Sequence, residues 1–390
     1  MKGAGVDHKK AAAERFSLVA EELEEISHWM YEHPELSMEE FASSARLAGF
    51  LERHGFAVEY PAYGMETAFA ARVGSRGPEV VICAEYDALP AVGHACGHNL
   101  IATAALGAGV ALRGLAEELG LRVTILGTPA EETRGGKIDL IRAGAFEGVT
   151  ASLMVHPTPT DLADPAELAI RHIDVTFHGK ESHAAMAPQL GINALDAFVQ
   201  AYVNISTLRQ ALRPTDQVHG IITHGGEAPN IIPALTRSSW YVRAATAEHL
   251  AGLCERVVAC FEAAAVATGC TLEIDEPGNA FDDLVSNPLL VDLFVANCTA
   301  LGRTMPRRAE LPSTAYGSTD MGNVSHMVPA IQPHMGINSG IAVNHQPEFA
   351  AHTLTADGIG MLRDGALAMA WTVIDLAAGN RWDELRLEPE

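Results

Sequence analysis

A change of hydrophobic period partway along the chain constrains its fold more than any other feature. Residues 79–84 (EVVICA), 122–128 (RVTILGT) and 152–155 (SLMV) are short, nearly unbroken apolar runs, separated by helical stretches at 100–119 and 138–143. Strands buried on both faces read this way, and their alternation with helices implies a mostly parallel sheet with helices on both faces. From residue 168 the pattern changes. Residues 168–179 (LAIRHIDVTFHG) alternate with period two, and a helix follows at about 191–212. Strands at 217–224 and 236–245, a helix at about 247–268 and a strand at 271–275 complete the segment. That order, β-α-β-β-α-β, is the ferredoxin-like split arrangement. Helical pattern resumes at 287–301 and 355–378, beyond Pro277-Gly278. The expected architecture is an α/β domain made of residues 1–166 and 279–390, interrupted by an α+β insert at 167–278. Upstream, 11–33 has the spacing of one helix stopped by Pro34, and 38–54 that of a second closed by Gly55.

Length and composition agree with two cores. The chain has 390 residues, 48% of them hydrophobic, enough to bury two domains without disulfides. Its 26 basic and 49 acidic residues leave a net charge of -23, which argues against nucleic acid and anionic membranes as partners. The longest uncharged apolar run, residues 100–112, falls short of the roughly 20 residues a membrane helix needs. Cysteines 83, 96, 254, 260, 270 and 298 form no CxxC pair, and the N-terminus carries charges where a secretory signal needs an apolar stretch. A soluble protein in a reduced, cytoplasmic compartment is expected.

Open α/β sheets bind ligands outside the carboxyl ends of their strands. Beyond 79–84 lie Asp87 and Gly93-His94-Ala95-Cys96-Gly97-His98-Asn99; beyond 122–128, Pro129-Ala130-Glu131-Glu132; beyond 152–155, His156-Pro157. Singly, each fragment suits a structural role as well as a functional one: a buried Cys beside a His, a solvated Glu pair, a satisfied core His. Together they bring metal-type ligands to one sheet edge. Cys96, His98, Glu132, His156 and His345 form a set of mixed hardness, suited to two borderline divalent ions, zinc or manganese, about 3.5–4 Å apart. Glu131 is left over as the general base beside a metal-activated water.

These residues resemble the aminoacylase/carboxypeptidase metallopeptidase superfamily. More narrowly, they resemble its amidohydrolase branch of hippurate, auxin-conjugate and p-aminobenzoyl-glutamate hydrolases. The likeness rests on His33-Pro34-Glu35-Leu36, Gly93-His94-Ala95-Cys96-Gly97-His98, Pro129-Ala130-Glu131-Glu132, His156-Pro157, Ser182-His183-Ala184-Ala185, Asn230-Ile231-Ile232-Pro233 and Gly317-Ser318-Thr319-Asp320. It implies that Cys96, His98, Glu132, His156 and His345 are the metal ligands, Glu131 the base and Asp87 an acid that orients the site. It implies that the insert is a lid that forms a homodimer, with His183 reaching a partner's site to stabilise the oxyanion. Asn230 and Arg243 match residues holding the substrate's amino-acid part. Asn99 stands where the auxin-conjugate and hippurate enzymes carry Asp, and Thr319 where they carry Glu. Both changes point toward p-aminobenzoyl-glutamate hydrolases and β-alanyl dipeptidases.

The expected activity is hydrolysis of the amide of a small N-acyl, aminobenzoyl or β-alanyl amino-acid conjugate. Hydrolytic deamination of an aryl amine at the same site, or a non-catalytic metal-binding scaffold, are the alternatives. His94, His326 and His334 are expected in structural or outer roles, and Cys83 in the core. Cys254 and Cys260, six apart, share no helix face.

Overall fold

A computed structural model describes residues 7–311 and 317–387. The first six residues of the charged N-terminus and the last three of the acidic tail lie outside the described residues. Two compact units are formed. One comprises Met1–Ala166, Leu284–Tyr316 and Asp320–Glu390; the other comprises Glu167–Asp283 with Gly317–Thr319.

The first unit begins with α1 (His8–Ser17) and α2 (Ala20–Glu32), where the periodicity predicts a single helix. The break lies at Val19, whose φ of -120° and ψ of 0° leave the helical region. It lets Phe16, Val19 and Leu23 all enter one core while Leu18 stays in solvent. In α3 (Phe41–Arg53) the first-turn amides of Ala42 and Ser43 donate to the Glu35 carboxylate at 2.9 and 2.6 Å, so the Glu35 of the His-Pro-Glu-Leu run serves as a cap. Then come β1 (Ala57–Glu59), β2 (Phe69–Val73), β3 (Glu79–Glu85), α4 (His98–Arg113), α5 (Ala116–Leu119), β4 (Arg122–Thr128), α6 (Gly136–Arg142), β5 (Ala151–Leu153) and β6 (His156–Thr158).

The second unit is β7 (Ala169–His178), α7 (Ala194–Arg209), β8 (Gln217–His224), β9 (Leu235–Ala244), α8 (Ala247–Thr268) and β10 (Thr271–Asp275). Its sheet is antiparallel throughout, in the order β10-β7-β9-β8. One face of the alternating strands, with Ile173, Val175, Phe177, Trp240 and Val242, meets Val257 and Phe261 of α8 and Ala197 and Ala201 of α7 in one core. The side chains of Asn193 and Thr246 accept from first-turn amides and start the two helices.

The chain then returns to the first unit with α9 (Pro288–Ala300), α10 (Met321–Met327), β11 (Ala330–Ile331), β12 (His334–Gly336), α11 (Pro347–His352) and α12 (Ala356–Gly379). The six-stranded sheet has the order β1-β2-β4-β3-β5-β11. Its β4-β3-β5-β11 portion is parallel, and β1 and β2 are added antiparallel. Along β3, Val80, Ile82 and Ala84 enter one core and Val81 and Cys83 the core on the opposite face, as a doubly covered strand requires. Helix α4 is buried at every residue from His98 to Leu112, among α1, α2, α12 and β3, which explains an apolar run with no polar side. It stops at Gly114, so the expected 100–119 helix is divided as well. The strand expected at 152–155 ends at Leu153, and a separate strand begins at His156. Pairing with β11 ends near Pro333, which has no amide to donate, and β6 forms its own parallel ladder with β12. Among the described residues no helix is long and apolar enough to cross a membrane.

Candidate metal centre

Asp87 organises the site. It follows β3 after Tyr86, which is buried with its hydroxyl donating to the Thr67 carbonyl at 2.6 Å. One Asp87 oxygen accepts from His98 Nδ1 at 3.0 Å; the other accepts from Ser37 Oγ at 2.8 Å and from the Glu132 amide at 3.1 Å. A carboxylate only accepts, so the His98 proton is fixed on Nδ1 and the Nε2 lone pair is free to ligate. His156 is set in the same way. Its Nδ1 donates to the Pro157 carbonyl at 2.9 Å, and its Nε2 faces Cys96 Sγ at 3.4 Å. Gly97 lies between Cys96 and His98 at φ 83°, and a Cβ there would collide with the Pro157 ring. The loop carrying His345 is tied down by the His345 amide, which donates to Ala95 at 2.8 Å, and by Asn344 Nδ2, which donates to Pro157 at 3.0 Å.

The five expected ligands converge. Ligand atoms of Cys96, His98 and His156 lie within 4.8 Å of one another, as do those of Cys96, Glu132 and His345 and those of His98, Glu131 and Glu132. Glu132 bridges the groups, with one oxygen 3.8 Å from His98 Nε2 and the other 3.6 Å from His345 Nε2. His98 Nε2, Glu132 Oε1 and Glu85 Oε2 are buried without a hydrogen-bond partner. Orphaned polar atoms of this kind are costly unless something else satisfies them. The charges argue alike. Burial first, then Glu85, Glu132 and Asp320, hold the Glu131 carboxyl well above the usual carboxylate range. Burial first, then Glu132, raises the Cys96 thiol in the same direction. Asp87 is the exception. Burial would raise it, but without a cation on Nε2 the acids around His98 hold that ring toward its charged form, and its charge and hydrogen bond outweigh burial and lower Asp87 to about 2. A dry cluster of acids and a thiol is driven toward its neutral forms unless a cation lies among them. The donor set therefore fits divalent ions.

His183, Asn230 and Arg243 belong to the second unit. His183 is exposed, forms a β-bridge with Ile231, and its Nδ1 accepts from the Ala185 and Met186 amides at 3.2 Å, which leaves the proton on Nε2. Asn230 is exposed, and its carbonyl accepts from Ala184 at 3.0 Å. Arg243 on β9 donates to Ser318 Oγ at 2.6 Å. Asn99 is buried on α4, where its Nδ2 donates to Ser27 Oγ at 3.0 Å and Thr353 Oγ1 at 3.2 Å. The Asn in place of Asp thus serves helix packing.

Four further residues lie near the site: Glu40 and Lys137, which give no sequence signal, and His94 and His334, expected in structural or outer roles. Glu40 accepts from the Met38 amide and from the Ala130 amide, both at 2.9 Å, immediately before the Glu131-Glu132 pair. Burial first, then Asp87, pushes its carboxyl up to about 7. His334 is brought beside His156 by the β6–β12 register, with ring centroids 5.9 Å apart. Lys137 is fully buried between Glu85 and Asp320. His94 is buried, and burial lowers it to about 3, so it stays neutral.

A family described as peptidase family M20/M25/M40 matches residues 81–364. The Xaa-Arg dipeptidase of Mus musculus is 41% identical over 383 residues, covering 94% of this chain and 88% of that protein. A p-aminobenzoyl-glutamate hydrolase chain of Escherichia coli K12 is 33% identical over 270 residues, covering 64% of this chain and 56% of that one. Among solved structures, the YXEP protein of Bacillus subtilis, described as a dinuclear metal-binding peptidase, is 20% identical. It covers 92% of this chain and 99% of its own, with a TM-score of 0.70.

Proposed function

The chain belongs to the peptidase family M20/M25/M40, a family of hydrolases, and on that premise we propose that it is a dinuclear metal-dependent amidohydrolase of dipeptides or small amino-acid conjugates. One observation carries this reading: His98 Nε2 is buried without a hydrogen bond, with Glu85 Oε2 at 3.4 Å and Glu132 Oε1 at 3.8 Å, and with Cys96, His156 and His345 in ligand range of the same cluster. Cys96, His98, Glu132, His156 and His345 would hold two zinc or manganese ions, which when bound polarise the scissile carbonyl and acidify water. The thiolate suits zinc, and the carboxylate and imidazoles accept either ion.

The chain's own groups do the rest. Asp87 fixes His98 and the Glu132 backbone together, so the two sides of the ligand set move as one. Glu131 takes the proton of the attacking water and passes it to the departing amine nitrogen. His183 carries its proton on the outward Nε2, as an oxyanion donor must. Arg243, oriented by Ser318, is suited to a substrate carboxylate, and Asn230 to its amide portion. The unit holding His183 presents uncovered apolar side chains, Val199, Tyr202 and Val203 on α7 and Ile221 and Ile222 on β8, which supports a homodimer through this unit.

The two curated relatives direct the first substrates to Xaa-Arg dipeptides and aminobenzoyl-glutamate, with β-alanyl-lysine and N-acyl amino acids beside them. The test is product release from that panel by protein loaded with manganese or zinc. Cleavage of an amide to two products, stopped by a chelator, is expected. Ammonia release from an aryl amine alone would replace hydrolysis of amides by deamination, and no turnover by metal-loaded protein would overturn the assignment.

A further inference from the structure

The loop that carries Glu131 and Glu132 closes on itself. The amides of Arg134, Gly135 and Gly136 all donate to the Ala130 carbonyl, at 3.3, 2.9 and 3.2 Å. Gly136 comes so near the Pro129 carbonyl that a side chain there has no room. This tight turn returns the chain to the same pocket six residues after Glu131, and there it places Lys137. The side chain is fully buried. Its Nζ bonds Glu85 at the end of β3, and Asp320 Oδ1 at 2.5 Å. Its backbone amide donates to Asp320 Oδ2 at 2.9 Å. Asp320 precedes α10 yet makes no cap for it, and is turned wholly to Lys137 and the start of α6. The carboxylate oxygens of Glu85, Asp320 and Glu131 lie within 4.8 Å of one another.

Such a cluster is expensive for stability alone, because well-packed apolar side chains would serve a core as well or better. Nor do the proposed proton transfers use Glu85, Lys137 or Asp320 directly. We propose that Lys137 is a positioning residue for Glu131: with Glu85 and Asp320 it forms a fixed charged floor that holds the Glu131 carboxyl facing the metal ligands. Three acids sharing a dry pocket repel unless a cation lies among them. The ammonium draws Glu85 and Asp320 onto itself from two different elements, so neither can drift toward Glu131. The Glu131 carboxyl lies within ligand range of both groups, Glu85 and Asp320 on the one hand and His98 and Glu132 on the other. The motif ending in Asp320 thereby gains a purpose in each unit: Ser318 serves Arg243 in one, and Asp320 serves Lys137 in the other.

This inference rests on Glu131 being the base, so the experiment separates the two. Full-length metal-loaded K137M, K137M/D320N and E131Q are compared with the parent on whichever amide the parent cleaves. The parent trio carries two acids and one cation; the double variant carries one acid, so the net charge is the same. For both Lys137 variants kcat is expected to fall on the order of 10²-fold, the cost of a base misplaced by about an ångström. KM should stay within about two-fold and the metal content should equal the parent's. The double variant should regain the thermal stability that K137M loses without regaining kcat, and it carries the test if K137M does not fold. Parental kcat in K137M or in the double variant overturns the positioning role, as does metal loss in the double variant. Parental turnover by E131Q overturns the base assignment itself, whatever the Lys137 variants do.

Discussion

Glu131 and Glu132 are adjacent in sequence and are given different work by what surrounds them. Glu132 is locked through its amide to Asp87 and directs its two oxygens at two histidines, as a bridging ligand would. Glu131 shares its pocket with two other acids, Glu85 and Asp320, and also lies within ligand range of His98 and Glu132. Replacing each by its amide should therefore fail differently. Glu131→Gln cannot take up a proton, so kcat should fall by at least the roughly 10²–10⁴-fold that general-base catalysis supplies. Its metal content, read by elemental analysis, should match the parent's. Glu132→Gln should lose metal first and activity in consequence. Equal metal loss in both would refute the division of labour. Cys96, His98, Glu132 and His156 could be picked out as candidate ligands because they follow three apolar runs, whereas His345 follows none of those runs. The neighbours of these ligands could not be picked out, because each acts across a long stretch of chain: Glu40 on Ala130, 90 positions away, and Lys137 on Asp320, 183 away. Buried Glu and Lys look in sequence like the solvated residues they usually are.

At the level of elements, the junction between β3 and α4 is where backbone geometry and site are least separable. Gly97 opens α4 in the left-handed region, with Cys96 before it and His98 after it, and its Cα faces the Pro157 ring beside His156. Gly97→Ala adds a Cβ that the backbone disfavours and Pro157 blocks. A non-glycine in this region costs about 1–3 kcal/mol, and relief of the collision should separate Cys96 from His156. The urea midpoint should fall and metal should be held more weakly, by titration of the apo-protein. Unchanged metal affinity would show that the loop absorbs the change without moving its ligands. Long elements with a clear period, such as α8 and α12, could be read from sequence because packing and pattern agree. The three-residue β1 and β6 and the two-residue β11 could not, since strands that short hold no period and exist only through their partners. The separate strand β6 just beyond the expected 152–155 run belongs with these: its ladder partner β12, more than 170 residues away, decides it.

At the scale of the whole molecule, the question is what covers the second unit. Its sheet has two edges, and they differ. The strand β10 bears Glu273 and Asp275, charges that discourage edge pairing, whereas β8 (QVHGIITH) carries no Asp, Glu, Lys or Arg, and Ile221 there is 67% exposed. On α7, Val199, Tyr202 and Val203 are spaced three and four apart, so they share one side of the helix, and all are exposed. A chain with a net charge of -23 repels its own copies at low salt, so self-association needs such an apolar face and should strengthen as salt screens the charge. If β8 and α7 form the dimer contact, V203E/I221K should sediment as a monomer where the parent sediments as a dimer. Both positions are exposed, so the fold should survive, and metal per chain should be unchanged. Activity should nevertheless fall by about 10²–10³-fold, the usual loss when one oxyanion donor is removed, because each site would lack the partner's His183. H183A in the dimer should lose as much, and combining it with the interface changes should cost little more, since both remove the same donor. A monomeric parent with full turnover would end the dimer reading. A monomeric variant with full turnover would keep the dimer but assign the oxyanion donor to a residue of the same chain.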